Sequence, residues 1–288
     1  VQEAIYDGPV DEASFGFEPV IYDKLASLAD GDAVINVVAV SPGDFIVDDT
    51  SEVAELADGV AYRPAGCRST ECAVTYAEGD GDVEMDQMVV TTKFLEGLMW
   101  SDGTPLTAAD SVYAFNLQAD PDTPDTKFAI ERTVSYLALD DVTVEWTGLP
   151  GYMDSTYFLN VWQPLPEHVW GQYTATELVD AEVSSRTPLG WGPYVIDEWV
   201  TGEYVSMTKN PNYWRADEGL PAFDKVIYRM VGENSNANIA ALLAGECDVV
   251  DQTSHLDDQS ELLLELQASG ELTATFVTGT VWEHVDFN

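Results

Sequence analysis

The alternation of apolar and polar residues predicts a β-hairpin in the stretch WGPYVIDEWVTGEYVSMTKNPNYW (191–214). Residues 194–199 alternate with the period of a strand, and residues 203–208 do so again. Thr201 and Gly202 lie between the two runs and predict a reversal of the chain. We therefore expect a hairpin with one apolar face, followed by a turn at Asn210-Pro211-Asn212.

The same pattern predicts further elements along the chain. Thr107 begins a helix, with Asp110 three residues later as the acidic partner of a capping box. Strands are predicted at 33–40, 88–95, 141–146, 247–251 and 272–279, and helices at 18–28, 235–245 and 257–269. From residue 222 onward, strands and helices alternate, which favours an α/β layer with parallel strands.

The net charge of −41 limits which kinds of molecule the protein can bind. With 11 basic and 52 acidic residues, the chain is predicted not to bind nucleic acid or an anionic membrane surface. Two explanations of the acidity stay open: a solubilising extracellular surface, or adaptation to salt, which screens self-repulsion. No apolar run reaches about 18 residues, so no transmembrane helix is expected. The N-terminal VQEAIYDGPV likewise predicts no signal peptide.

The three cysteines are Cys67, Cys72 and Cys247. A metal site at the first two would need more ligands nearby, and the three histidines are distant in sequence. A small-loop disulfide between Cys67 and Cys72 is the better interpretation, and it implies an oxidising compartment. Cys247 is interpreted as a buried free thiol at the start of a strand.

Catalytic motifs are lacking in the sequence. It has no nucleophile elbow, no metalloprotease helix motif, no P-loop and no dinucleotide-binding glycine motif. Pairs of carboxylates are too common in so acidic a chain to specify a glycosidase. Residues 119–127 resemble a calcium loop only loosely, because a proline interrupts it and the glycine is missing. We predict neither a metal nor a cofactor.

Three blocks resemble the family-5 extracellular solute-binding proteins of ABC transporters, which bind dipeptides, oligopeptides and nickel. The blocks are FLEGLMWSDGTPLTAADSVYAF, TPLGWGPYVIDEWVTGEYVSMTKNPNYW and AFDKVIYRMVGENSNANIAALLAGECDVV. They occur in the family's order. The resemblance implies that the hairpin at 191–214 is scaffold whose aromatic residues serve packing.

The resemblance implies an α/β lobe of the type II periplasmic-binding-protein class, with a mixed sheet, flanking helices and an inserted β-rich subdomain. Residues 1–30 and 187–288 would form the core of lobe I, and residues 31–186 the insertion. We expect the second lobe, and the family's first core strand, to lie outside this chain. The stretch between Tyr22 and Gln87 is longer than is usual in the family.

The resemblance also implies a function without catalysis. Such a protein captures a peptide-like or other small polar solute between two lobes and delivers it to a membrane permease. It would be extracellular or periplasmic, and membrane-anchored or at the cell surface in its full-length form. The alternatives are a glycan-acting or other extracellular hydrolase, and a surface structural protein that reuses the lobe.

Four residues are candidate ligand contacts. Tyr136 lies near the place where relatives have a ligand-facing tyrosine, and its alternative role is that of a core tyrosine. In the segment 281–288, a strand period would place Trp282, His284 and Asn288 together with Asp286 on one side. This segment is predicted to begin the crossover to the second lobe, with that side lining the cleft. An edge strand with a solvated face is the alternative.

Overall fold

The computed structural model describes residues 1–13, 16–254 and 256–276 of the chain. The strands are β1 (Val10–Ala13), β2 (Gly16–Pro19), β3 (Ala33–Val40), β4 (Phe45–Val47), β5 (Val53–Glu55), β6 (Ala61–Tyr62), β7 (Val74–Thr75), β8 (Val83–Lys93), β9 (Thr133–Ala138), β10 (Thr143–Gly148), β11 (Tyr194–Val200), β12 (Tyr204–Lys209) and β13 (Lys225–Arg229). The α-helices are α1 (Gln2–Ile5), α2 (Ala108–Ala119), α3 (Phe128–Glu131), α4 (Glu167–Trp170), α5 (Ala175–Leu178), α6 (Glu182–Ser185), α7 (Ser235–Leu243) and α8 (Ser260–Ser269). Short 3-10 helices lie at Thr70–Cys72, Tyr157–Leu159, Ala216–Glu218, Gln252–Ser254 and Asp257–Gln259.

The chain forms two compact units. The first consists of residues 1–198 and 207–226, and the second of residues 199–206 and 227–288. Strands β11, β12 and β13 form a three-stranded sheet in that order, and the chain passes between the units within these strands. The predicted division into a core part and an insertion at 31–186 stays a prediction.

The first unit is organised by a four-stranded sheet with the order β3-β8-β10-β9, and all of its neighbouring strands are antiparallel. Along β8, Met88, Val90 and Thr92 are buried, whereas the residues between them are half-buried. This alternation places one face of the sheet against the main core. The largest fully buried side chains of that core are Phe94, Trp100, Trp146 and Trp191.

A second, smaller core covers the far end of the sheet. Its members come from β3, from β8 and from the segment between them: Val40, Ile46, Leu56, Tyr62, Tyr76, Val83 and Met85. Strands β4 and β5 form one hairpin here, and β6 and β7 another two-stranded sheet. The disulfide between Cys67 and Cys72, predicted from sequence, closes the loop between β6 and β7.

The helix predicted at 18–28 is wrong. Residues 16–19 belong to β2, and Tyr22 forms an isolated antiparallel bridge with Phe94. The main-chain N–H of Leu95 donates to the carbonyl of Ile21 (2.8 Å), so this segment bonds across the sheet instead of within a helical turn. Ile21 and Tyr22 are buried because they face the core from this extended segment.

Several predicted elements are confirmed. The strand at 33–40 is β3, and the hairpin around Thr201-Gly202 is formed by β11 and β12. Helix α2 begins after Thr107 with both halves of the predicted capping box. The helices predicted at 235–245 and 257–269 correspond to α7 and α8. Gly245 and Gly270 adopt the left-handed conformation that ends a helix, with φ of 71° and 80°.

Two strands predicted in the tail are wrong as far as the chain is described. Residues 247–251 form no strand, and neither do residues 272–276. A strand needs a neighbour that offers free N–H and C=O groups. Within the described residues no strand pairs with either segment, and the side chain of Val249 is 79% exposed. Cys247 is free, as predicted, but it is half-buried and does not begin a strand.

Candidate functional site

The sequence motif WSDGTPLTAAD (100–110) forms a turn that leads into helix α2. The carboxylate of Asp110 accepts hydrogen bonds from the main-chain N–H of Thr107 (2.8 Å) and from Nε1 of Trp100 (3.3 Å). Asp110 is buried, and this burial raises the pKa of its carboxyl group although both hydrogen bonds oppose the shift. The aspartate therefore fixes Trp100 to the start of the helix.

A second aspartate of the motif, Asp102, forms a hydrogen bond with His168 in the short helix α4. The distance between Oδ2 of Asp102 and Nε2 of His168 is 2.9 Å. Burial alone would raise the pKa of Asp102, but hydrogen bonds from Thr104 and His168 outweigh it, and the pKa is lowered. His168 thus has a structural contact that ties α4 to the turn before α2.

Trp191 joins this motif to the N-terminal segment. Its indole Nε1 donates a hydrogen bond to the carbonyl of Asp7 (3.1 Å), and its ring meets that of Trp100 edge-on at 5.5 Å. The side chain is 1% exposed. The glycines on both sides, Gly190 and Gly192, have no room for a side chain, because an added Cβ would lie within 2.6 Å of Ile5. The aromatic residue of this block is therefore packing, as the sequence indicated.

The turn after the hairpin is tied to the same region. The side-chain amide of Asn210 donates to the carbonyl of Gly192 (2.8 Å), and that of Asn212 donates to the carbonyl of Ser101 (3.0 Å). The hydroxyl of Tyr213 donates to the carboxylate of Asp7. The motifs around residues 101, 192 and 212 thus form one continuous network in the first unit.

Tyr136 is a core residue by its surroundings. Its side chain is 3% exposed, and its hydroxyl lies 2.7 Å from Oγ of Ser111. The main-chain N–H of Trp162 also donates to this hydroxyl (3.3 Å). Burial raises the pKa of Tyr136 although these hydrogen bonds act against the shift. Its role as a ligand contact stays a prediction, and the geometry adds that its hydroxyl is engaged with Ser111 and Trp162.

Trp162 forms an aromatic cluster with Phe115 and Tyr136, which we call the Trp162 cluster. The Trp162 ring lies 4.7 Å from each of the other two rings. Its Nε1 donates to the side chain of Gln118, so the indole is fixed at both its ring and its polar edge. Unlike Tyr136, Trp162 is only half-buried.

Tyr113 was not singled out by sequence reasoning. It is half-buried on α2, three residues after Asp110, and its hydroxyl has no hydrogen-bond partner among the described residues. Burial and, to a smaller extent, the carboxylate of Glu167 raise its pKa. The helical spacing from Asp110 was the available signal, because residues three apart share one face of a helix.

The other three predicted ligand contacts, Trp282, His284 and Asn288, lie outside the described residues. Within the described part of the chain, no group of three or more His, Cys, Asp or Glu side chains is arranged to hold a metal ion. No helix there is long and apolar enough to cross a bilayer.

Comparison with known proteins gives the family. The sequence pattern of the bacterial extracellular solute-binding proteins, family 5 (middle region), matches residues 73–288. The chain belongs to this family. The network of motifs around residues 101, 192 and 212 lies within the matched region, and membership supports the prediction that the chain is not an enzyme.

Two curated relatives illustrate the similarity to other family-5 proteins. The oligopeptide-binding protein AppA of Bacillus subtilis (strain 168) is 29% identical over 181 residues, which are 60% of this chain and 31% of that protein. The glutathione-binding protein GsiB of Escherichia coli O1:K1 / APEC is 27% identical over 205 residues, 69% of this chain and 38% of that protein. The chain therefore spans about a third of the length of these relatives.

Among solved structures, the oligopeptide-binding protein from Thermus thermophilus, complexed with a pentapeptide, has a similar fold. The TM-score is 0.53 at 17% sequence identity, and the similarity covers 85% of this chain and 38% of that one. At this identity the similarity shows the fold alone. The predicted α/β fold of the type II periplasmic-binding-protein class is thereby confirmed.

Proposed function

We propose that this chain is part of the substrate-binding component of an ABC importer. The component captures a solute between two lobes and delivers it to a membrane permease. The single observation that carries the proposal is the match of the family-5 pattern over residues 73–288. In this proposal the protein binds its solute without making or breaking a covalent bond.

A peptide-like solute is the preferred class. Curated relatives are named for oligopeptides and for glutathione, which is itself a tripeptide. Such ligands combine a polar backbone with apolar side chains. Binding sites hold them with fixed hydrogen-bonding groups and with aromatic side chains that stack on the ligand.

The proposed site includes Tyr136, Trp282, His284 and Asn288. The hydroxyl of Tyr136 accepts from the main chain of Trp162, and its ring lies 4.7 Å from the indole, so Tyr136 contributes by holding the half-buried Trp162 in place. In this arrangement Trp162 offers its open part to the solute, and Tyr136 acts as a positioning residue. Residues 281–288 supply the polar side chains of the cleft wall.

The domain organisation and location follow from the same proposal. Residues 1–30 and 187–288 belong to the core of the first lobe, and residues 31–186 are the insertion. The partners are the solute and the permease subunits. The protein acts outside the cytoplasmic membrane, in the periplasm or at the cell surface, where an oxidising environment suits the disulfide of Cys67 and Cys72.

The proposal is tested by identifying what the encoded full-length protein carries when it is purified from its own cells. Native mass spectrometry before and after denaturation detects a bound solute, and fragmentation identifies it. We expect a short peptide or another small polar solute that is released unchanged. A hydrolase would instead cleave members of a panel of peptides and oligosaccharides during incubation, and such turnover would overturn the proposal.

The role of Tyr136 has its own test. Tyr136→Phe removes only the hydroxyl that accepts a hydrogen bond from the main-chain N–H of Trp162, whereas Trp162→Ala removes the indole ring. We expect Trp162→Ala to weaken solute binding at least tenfold and Tyr136→Phe to weaken it less. If neither variant changes the affinity, the Trp162 cluster is packing only.

A further inference from the structure

The four-stranded sheet of the first unit has an open edge at β3. This strand pairs with β8 along its whole length, from Ala33 to Val40. The main-chain N–H of Thr91 donates to the carbonyl of Asp32 (2.8 Å), and the N–H of Ala33 donates in the opposite direction, to Ser27 (3.1 Å). In an antiparallel pair, the main-chain N–H and C=O groups of successive residues face opposite sides of the strand. The even-numbered residues of β3 therefore bond to β8, and the main-chain groups of the odd-numbered residues face away from it.

In the part of the chain that the structure describes, the outward groups have no strand beside them. The N–H and C=O groups of Ile35, Val37 and Ala39 face away from β8, and within the described residues no other strand pairs with β3. Val34 and Val37 are 41% and 57% exposed. The edge therefore combines unpaired main-chain groups with exposed apolar side chains.

The sequence of β3 lacks the usual protection of an edge strand. Exposed edges are commonly blocked by a charged residue, a proline or a β-bulge. The strand reads AVINVVAV, without a charge or a proline, and its register with β8 is unbroken. In a chain with 22% charged residues, none of the eight residues of β3 carries a charge.

We propose that this edge binds the same edge of a second copy of the chain. The two β3 strands would run antiparallel about a two-fold axis at Val37, which would lie opposite the partner's Val37. Ile35 would then lie opposite the partner's Ala39, so that every outward N–H meets an outward C=O, with about six hydrogen bonds in all. The exposed valines at the axis form a cross-strand apolar pair.

A second copy is the partner that fits the charge distribution. A basic partner would be attracted to any part of the acidic surface. The uncharged edge of β3 instead favours a partner strand that is itself uncharged. The β3 strand of a second copy is an uncharged strand of this kind. The two-fold register makes the surface complementary to itself, as a symmetric dimer requires. Repulsion between two copies of charge −41 opposes the contact. Salt screens this repulsion to a range of about 3 Å at 1 M, so the dimer should form in high salt.

Sedimentation velocity on the 288-residue chain tests the proposal at about 0.15 M and about 1 M KCl. We expect a monomer at low salt and a concentration-dependent dimer at high salt. Val37→Lys places two like charges at the axis and should abolish the dimer. The matched control is Val134→Lys on β9, the opposite edge of the sheet, where the side chain is 54% exposed. This control should dimerise like the unmodified chain, and circular dichroism checks that both variants are folded.

Cross-linking locates the contact. In a Cys247→Ser background, Val37→Cys should form a disulfide-linked dimer under mild oxidation, because hydrogen-bonded antiparallel residues lie about 5.5 Å apart. Val134→Cys should not. A chain that stays monomeric at both salt concentrations, or a Val37→Lys variant that dimerises normally, overturns the proposal. Assemblies that both lysine variants block would indicate pairing of β3 with β9 and would equally contradict it.

Discussion

The indole Nε1 of Trp191 donates a hydrogen bond to the main-chain carbonyl of Asp7, 184 positions earlier, over 3.1 Å. This contact closes the first unit between the start of the chain and the block GWGPY. Trp191→Phe keeps an aromatic ring but leaves the part-buried carbonyl without its donor and removes part of a fully buried ring. We expect the free energy of unfolding to fall by about 1–3 kcal/mol. Urea denaturation at constant KCl measures this change.

Tyr113→Phe serves as the control for an aromatic replacement that removes a polar atom. Its hydroxyl has no hydrogen-bond partner in the described residues, so the change should stay within about 0.5 kcal/mol. If the two variants lose equal stability, the hydrogen bond between Trp191 and Asp7 is not a determinant of the fold.

The hydrogen bonds of Lys127 are expected to stabilise the fold. Its ammonium Nζ donates to the carbonyls of Gln118, Asp120 (2.8 Å) and Thr123 (3.1 Å), at the end of α2. A cation at a helix C-terminus is favourable, and hydrogen bonds from a charged group are stronger than neutral ones. We expect Lys127→Met to lower the free energy of unfolding by about 1–3 kcal/mol in a urea titration.

Lys225→Met is the matched control, because it removes the same charge. Lys225 is exposed on β13, and its ammonium group has no ion pair or hydrogen bond with any described residue. Its replacement should change stability by no more than about 0.5 kcal/mol. If the two variants lose equal stability, the change in net charge accounts for the effect of Lys127, and its hydrogen bonds to the three carbonyls do not.

The two aspartates of the α2 motif predict opposite pH dependences. The pKa of Asp102 is lowered in the folded state, so the unfolded chain binds more protons there. Its contribution to stability is present above the ordinary aspartate pKa and is lost as the pH falls through the folded-state pKa. The pKa of Asp110 is raised, so its folded form binds more protons, and stability falls as the pH rises from the ordinary value through the raised one.

Urea unfolding of the unmodified chain, Asp102→Asn and Asp110→Asn between about pH 3 and about pH 6 measures both effects. As the pH rises, the stability of the unmodified chain relative to Asp102→Asn should increase, and relative to Asp110→Asn it should decrease. Trends of the same sign for both variants would contradict this account of the motif.

The charge distribution predicts that salt stabilises the fold. Ten of the eleven basic side chains have a hydrogen-bond, ion-pair or other electrostatic partner in the described residues, and Lys225 is the exception. The acidic side chains far outnumber the basic ones, and they repel one another. The melting temperature, followed from low salt to about 1 M KCl, should rise as screening increases. A flat or falling melting temperature would favour an ordinary solubilising surface.

Local patterns were sufficient for much of the fold. The capping box of Thr107 and Asp110, the hairpin at Thr201-Gly202 and the glycine ends of α7 and α8 depend on neighbours within a few residues, and all four were predicted. The disulfide of Cys67 and Cys72 was also predictable, because its loop is short.

The failures depend on partners far away in sequence. Ile21 and Tyr22 have apolar positions at helical spacing, but hydrogen bonds to the end of β8 hold them extended. Val249 lies in a β-branched run that would be a strand if another strand lay beside it. The engagement of Tyr136 with Ser111 and Trp162 was hidden for the same reason, since only the folded chain brings residues 111, 136 and 162 together.

Isothermal titration calorimetry measures solute binding, the function proposed for this family-5 protein. The encoded full-length protein and this 288-residue chain are titrated with the same peptides, from dipeptides to pentapeptides, and with glutathione, in about 1 M KCl. We expect saturable binding by the full-length protein and weak or undetectable binding by the 288-residue chain, because the second lobe supplies contacts and closure. Equally tight binding by both would contradict a cleft between two lobes, and the absence of binding by the full-length protein to any of these probes would contradict the peptide-like solute.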